Sequence, residues 1–329
     1  LFGSNSFELV TYVEVNVEGC INNGEIFASV LLGGGLFSDN CFQEMENGII
    51  NIKESNNNGN INNSGGGIGG NQFGYKIKDG TFNIDSCYNN GLLNGNNCGG
   101  LFGSNLFYEM EQGTIIINKC FNTKNIEGLN AGGLIGNESF KEILNGTINI
   151  SYCNSAGIIN GDNSGGLIGQ GVFNNITNCN FEMNNCFNIG TINGEKSGGL
   201  LGTNAINNIS NGVFNINNCY CTGIINGNQS GGLIGDELCN NISNINFTLI
   251  NSYSNGKING ENAGGLIGSN ISFNSLGGLI EIKNSYSIGE VIGDNAGGIV
   301  GNNINSLSTI NAENCYTIGE IKGLNGGGI

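Results

Sequence analysis

The sequence predicts an all-β fold: one parallel β-solenoid of about ten coils of ~33 residues, with three short strands per coil. Three observations carry this expectation. A Gly-Gly pair followed by two apolar residues returns at Gly66, Gly99, Gly132, Gly165, Gly198, Gly231, Gly264 and Gly297, all equally spaced. Each repeat holds short runs with period-two apolar character, and none holds a sustained helical period. The chain carries 60 Gly and 66 Asn among 329 residues and has no Pro, so it is built for tight bends between strands rather than for helices.

The repeat runs through the whole chain, so residues 1–329 read as one continuous domain. The first two coils, 1–65, are irregular, the coils from 66 to 297 keep the strict spacing, and the last, 298–329, is shortened. Within a coil the elements follow in a set order. The Gly-Gly pair leads into an apolar position occupied by Leu101, Leu134, Leu167 and their equivalents. A strand follows with alternating apolar residues, such as Ile115/Ile117, Ile148/Ile150 and Phe214/Ile216. A third column, Leu93, Ile126, Ile159, Ile192 and Ile225, is followed by Asn-Gly turn signals such as Asn160-Gly161. A lone coil of this kind cannot bury its apolar side chains or satisfy its backbone, so the repeats are expected to stack. A propeller, or two smaller coils per repeat, are the competing arrangements. The least regular stretch, exemplified by Ser104 to Gln112, Asn137 to Asn145 and Asp236 to Asn244, reads as a side loop on one corner. The glycine columns Gly91, Gly157, Gly190 and Gly128, Gly161, Gly194 read as corners that need positive φ or close backbone approach.

Composition excludes several function classes. With 10 Lys+Arg against 26 Asp+Glu, a formal charge of −16, the chain has no basic surface for nucleic acid. The apolar runs are only a few residues long, so no membrane-spanning helix is expected. There is no His, which removes the usual acid–base residue near neutral pH, and no Cys-x-x-Cys cluster for zinc. We expect no catalytic residue, cofactor or metal.

Two columns stand out. Cys87, Cys120, Cys153, Cys186 and Cys219 share one repeat position, which Ser55, Ser252 and Ser285 fill elsewhere, so these side chains read as a stacked structural ladder. Beside them run Tyr88, Phe121, Phe187, Tyr220, Tyr253, Tyr286 and Tyr316, preceded by Asn185, Asn218, Asn251, Asn284 and Asn314. Stacked rings and amide ladders stabilise in-register strands, and a sugar-stacking platform is the functional alternative. Asn137, Asn145, Asn175, Asn208, Asn241 and Asn270 lie in Asn-x-Ser/Thr sequons and are candidate glycosylation sites, Asn137 and Asn270 being favoured as loop positions.

The elements Gly132-Gly133-Leu134-Ile135-Gly136, Asn218-Cys219-Tyr220 and Gly223-Ile224-Ile225-Asn226-Gly227 resemble the GLUG repeat. That repeat occurs in adhesin-like surface proteins and beside the catalytic domain of IgA-specific metallopeptidases. The resemblance implies an extracellular or cell-surface β-solenoid module with no catalytic residue to carry over. Without His the chain departs from the peptidases at their zinc motif.

The ends carry the last expectation. Leu1 and Phe2 open the chain at the repeat position where Gly327, Gly328 and Ile329 close it, with no polar cap. The expected function is therefore a structural extracellular subunit that assembles head to tail with itself into a filament. The alternative is a non-catalytic stalk or adhesin module of a larger surface protein, with host or environmental glycans or proteins as partners.

Overall fold

The computed structural model describes residues 1–27, 33–62, 64–304 and 307–328. The chain winds as a single parallel β-solenoid, and no helix occurs among the described residues. Three parallel sheets run along its length. One stacks ten two-residue strands from Ile26–Phe27 to Ile321–Lys322, and a second stacks ten from Ile21–Asn22 to Tyr316–Thr317. The third contains the long strands, from Glu14–Glu18 to Leu307–Glu313.

Register follows the sequence repeat. Ile115 pairs with Ile148, and Ile148 with Phe181; Ile159 pairs with Ile192, and Tyr220 with Tyr253. Each partner lies one full repeat further along the chain, so one repeat is one turn. This excludes two smaller coils per repeat, and the common stacking direction excludes blades. Ten strands in each of the first two sheets make about nine turns, with shorter spacing at the last step, where Tyr286 pairs with Tyr316.

The alternation seen in sequence has a direct cause. In the strand Thr147–Ser151 the side chains of Ile148 and Ile150 are buried while Thr147, Asn149 and Ser151 face outward. Each inward side chain rests on its equivalents one coil away. A buried Ile or Phe contributes roughly 1.5–3 kcal/mol, gained only once the neighbouring coil is present.

The stretch expected as a side loop is instead a wall of the coil. Phe107, Phe140 and Phe173 within it are fully buried, and Phe140 stacks on Phe173 with centroids 5.3 Å apart. Its backbone bends at alternate residues: Asn105, Phe107 and Glu109 have φ of 55°, 50° and 59°. Left-handed conformations cost non-glycine residues about 1–2 kcal/mol each. Here they turn the chain sharply without breaking the ladder. Asn105 N–H donates forward to Asn137 (2.9 Å), and Phe107 N–H donates back to Phe73 (3.0 Å).

At the glycine corners the structure shows the second of the two expected needs, close backbone approach. In the bend that precedes the aromatic column, positive φ falls on non-glycine residues, Ser86, Lys119 and Tyr152 at 56°, 51° and 55° and Asn185, Asn218 and Asn251 at 56°, 52° and 51°. The glycines serve close approach instead. A Cβ on Gly157 would overlap the carbonyl oxygen of Lys124 one coil below.

Candidate functional site

The cysteine column lines the interior of one corner. Cys87, Cys120, Cys153, Cys186 and Cys219 are fully buried free thiols. Cys120 N–H points at the sulfur of Cys153 (3.4 Å), and Cys153 N–H at that of Cys186 (3.4 Å). The thiol of Cys153 donates to the carbonyl of Ser151 at 3.2 Å. The column therefore caps backbone groups at a bend. Ser252 fills the same role, accepting from Cys219 N–H (3.1 Å) and donating to Ile250 (2.8 Å). Off the column, burial pushes the cysteines up: Cys41 and Cys221 to about 11, Cys98 and Cys179 to about 12. Nucleophilic chemistry needs a thiolate, and these environments suppress it.

One residue on, the aromatic column faces outward. Phe187, Tyr220, Tyr253, Tyr286 and Tyr316 form five consecutive rings with centroids 4.8–5.1 Å apart and planes within 5° of parallel. Tyr88 and Phe121 make a second stack at 4.9 Å, and Asn154 interrupts the column between the two stacks. Sugars bind on exposed ring faces, but here each inner face is covered by the next ring. Rings inside the ladder present their edges, and the tyrosines among them their hydroxyls, to the surroundings. The asparagines before it bond along the same axis, Asn284 to Asn251 (3.3 Å) and Asn314 to Asn284 (3.0 Å).

A second, buried amide ladder escaped the sequence reading. Asn57 Nδ2 donates to Asn89 Oδ1 (2.8 Å), and Asn89 to Asn122 (2.8 Å), while Asn57 and Asn89 each also cap the glycine carbonyl two residues on in their own coil at 2.7 Å. The signal was present in the order Cys-aromatic-Asn, whose alternation turns the Asn inward. Where Ser155, Ser254 and Ser287 take this place, their hydroxyls find no hydrogen-bond partner among the described residues.

An open groove of about 820 Å³ is lined by Glu237, Asn240, Asn270, Ile271, Phe273, Asn303 and Ile304. Behind it Asp236 is fully buried, 3.3 Å from Lys196 Nζ, and accepts from Asn270 Nδ2 at 2.9 Å. Lys196 also reaches Glu237 at 3.4 Å. Desolvation raises the Asp236 carboxyl above its ordinary value, against the pull of Lys196. The two carboxylates share one cation and lie at the groove's edge, an arrangement that holds the wall in place. Among the described residues no three His, Cys, Asp or Glu side chains converge as a metal site, and no helix is long and apolar enough to cross a membrane.

The sequon asparagines fall into different environments. Asn145, Asn175, Asn208 and Asn241 are exposed. Asn137 is half-buried and donates to Asn97 (3.3 Å), and Asn270 is held by Asp236. The loop argument that favoured these two therefore fails, because the stretch holding them is a packed wall. At the ends, Leu1 is 74% exposed and Phe2 stacks on Phe37 at 4.7 Å. Gly298 N–H donates to Gly327 O (2.9 Å), a Cβ on Gly328 would point into open space, and Ile329 is outside the described residues.

Fold and ladders together define the class: a parallel β-solenoid with ordered side-chain columns, some buried and some facing outward, running along its axis. No family model matches the chain, and no curated protein or solved structure is significantly similar to it.

Proposed function

We propose that this chain is a structural, extracellular β-solenoid rod, the subunit of a surface filament in which coils of one copy continue onto coils of the next. The observation that carries the reading is the stacking itself: each coil gains the burial of its apolar columns from the coil beside it, and any coil face without a neighbour leaves them open. Phe2 and Val15 at one face, and Ile310 and Ile321 at the other, are only half-buried. Their equivalents one coil inward, Phe37, Ile50, Ile280 and Val291, are fully buried. Apolar columns open at a face are matched best by another coil of the same kind.

The resemblance of the Gly-Gly-Leu-Ile-Gly elements to the GLUG repeat supports the surface setting. The acidic balance keeps the flanks of such rods apart. A second reading shares the same observation: the covering coils belong to a longer chain, and the rod is the stalk of an adhesin-like surface protein that meets glycans or proteins. Neither reading assigns catalysis.

Electron microscopy of the purified chain separates the two. A filament subunit forms fibres that lengthen with concentration. Dispersed rods of about 48 Å under all assembly conditions, the length of ten coils at ~4.8 Å each, would defeat head-to-tail growth. Fractionation and surface labelling of the source cells test the extracellular assignment.

A further inference from the structure

The ten Asn-x-Ser/Thr sequons are not equivalent once folded. Asn137 and Asn270 are tied into the wall, as described above. Asn62 donates to Glu25 (3.2 Å), Asn228 to Glu195 (3.4 Å) and Asn208 to Asn174 (2.9 Å), while Asn145 accepts from Asn178 (3.1 Å). Asn149 is half-buried in its strand between Ile116 and Glu182. Three remain, Asn175, Asn241 and Asn246, each exposed and with its carboxamide bonded to no other group among the described residues.

We propose that Asn175, Asn241 and Asn246 are N-glycosylation sites, and that the sequon at Asn208 is silenced by its place between two of them. This rests on the extracellular reading above. In each of the three the middle residue, Ile176, Ile242 or Phe247, is buried, which pins the tripeptide with its amide turned outward. Asn175 and Asn241 have φ of 58° and 53°, so both sit on bends of the coil. Asn208 stands in the same column, one repeat from each. One coil step is about 4.8 Å, less than the width of a sugar ring with its hydration, whereas two steps give about 10 Å. Neighbouring glycans on Asn175 and Asn208 would collide; glycans on Asn175 and Asn241 clear one another. Beside Asn246 lies a shallow depression lined by Asn178, Asn180, Asn211 and Asn244, whose amides suit the hydroxyl and acetamido groups of a first sugar.

The chemistry balances with one co-reactant, a polyprenyl-pyrophosphate oligosaccharide. The Asn Nδ2–C1 bond forms as the sugar C1–O bond to pyrophosphate breaks, the amide gives up one proton, and the lipid pyrophosphate leaves. The three glycans would cover parts of the flank and leave the end faces bare, which disfavours side-by-side association and permits end-to-end growth.

The full chain, secreted from an animal cell line behind a cleavable leader, is digested and its glycopeptides mapped by mass spectrometry. Sugar is expected at Asn175, Asn241 and Asn246, none at Asn137 or Asn270 in the folded fraction, and no molecule with Asn175, Asn208 and Asn241 all occupied. The triple variant N175Q/N241Q/N246Q loses the glycosidase-sensitive mass shift of these sites, and N175Q/N241Q gains occupancy at Asn208. Folded protein with sugar at Asn137 or Asn270, or bare at all three sites, would overturn the proposal. A chain that is glycosylated as expected in this host but intracellular in its source overturns the extracellular reading while the site selection stands.

Discussion

Tyr220 and Tyr253 lie one coil apart with ring centroids separated by 5.0 Å and planes 4° from parallel, each ring covering the face of the next. The contact exists only because the residues are in register across a full turn. It makes the ring column a measure of coil-to-coil order.

Tyr253 is covered on both faces, by Tyr220 and by Tyr286. Stacked pairs contribute about 0.5–1.5 kcal/mol each beyond buried area. Tyr253→Ala is expected to destabilise the rod by about 2–3 kcal/mol and Tyr253→Phe to be near neutral, as read by urea denaturation. Equal effects of the two would show that the hydroxyl, not the ring, matters.

Ser155 interrupts the buried amide ladder between Asn122 and Asn188, and its own hydroxyl has no hydrogen-bond partner among the described residues. Ser155→Asn completes the ladder with a side chain the neighbouring coils already accommodate. The expected gain is about 1–2 kcal/mol, the release of one orphaned polar group plus an added bond. A lower denaturation midpoint for this variant would contradict the account.

Gly166 and Gly171 separate steric need from backbone need. A Cβ on Gly166 would overlap the carbonyl oxygen of Gly199 in the next coil, so Gly166→Ala forces adjacent turns apart, at about 3 kcal/mol or more. Gly171 has φ of +66° and nothing nearer than 3.6 Å. Gly171→Ala is expected to cost only about 1 kcal/mol. Melting temperatures of the two variants should fall in that order.

Thiol chemistry reports the burial of the cysteines. In the native protein only the half-buried Cys20 and Cys315 are expected to react with maleimide, the other ten after denaturation. The raised values also predict alkaline unfolding. Cys98 and Cys179 keep their protons to about pH 12, whereas the unfolded chain releases them near 9.0. Above that value the unfolded state binds fewer protons, so stability falls as pH rises from 9.0 toward 12. A stability curve flat across that window would refute the burial of these thiols.

Lys196 is the sole cation beside the buried Asp236 among the described residues. Lys196→Ala leaves that carboxylate uncompensated, at a cost of about 2 kcal/mol near neutral pH, less than for a fully buried pair because Lys196 is partly exposed. The Asp236 carboxyl is already raised above 3.8, so its protonated form favours folding at low pH and that contribution is lost as pH rises through the folded value. The penalty of Lys196→Ala should therefore shrink as pH falls toward 3.8, and Asp236→Asn should rescue it. A pH-independent loss would point to packing by the lysine stem instead.

The strict spacing of Gly-Gly pairs and the alternation of Ile148 and Ile150 were enough to read the solenoid, its three strands per coil and its register. These are local and periodic signals, and the structure repeats whatever the sequence repeats. The wall through Phe107 and Phe140 was not legible. Its buried aromatics sit in left-handed conformations that such residues normally avoid, and only the ladder bonds from the coils on either side hold them there. The groove at Phe273 is likewise assembled from successive coils, with Glu237, Asn270 and Asn303 each standing one repeat from the next.

What the sequence determined alone is the coil: its length, its inward and outward positions, and the columns into which cysteine, tyrosine and asparagine fall. What only the tertiary structure decided is what each column does. Stacking places neighbours about 4.8 Å away, closer than side chains meet along one strand on the same face. At that distance ring faces become hidden and Asn89 becomes a buried link, neither of which a single coil contains.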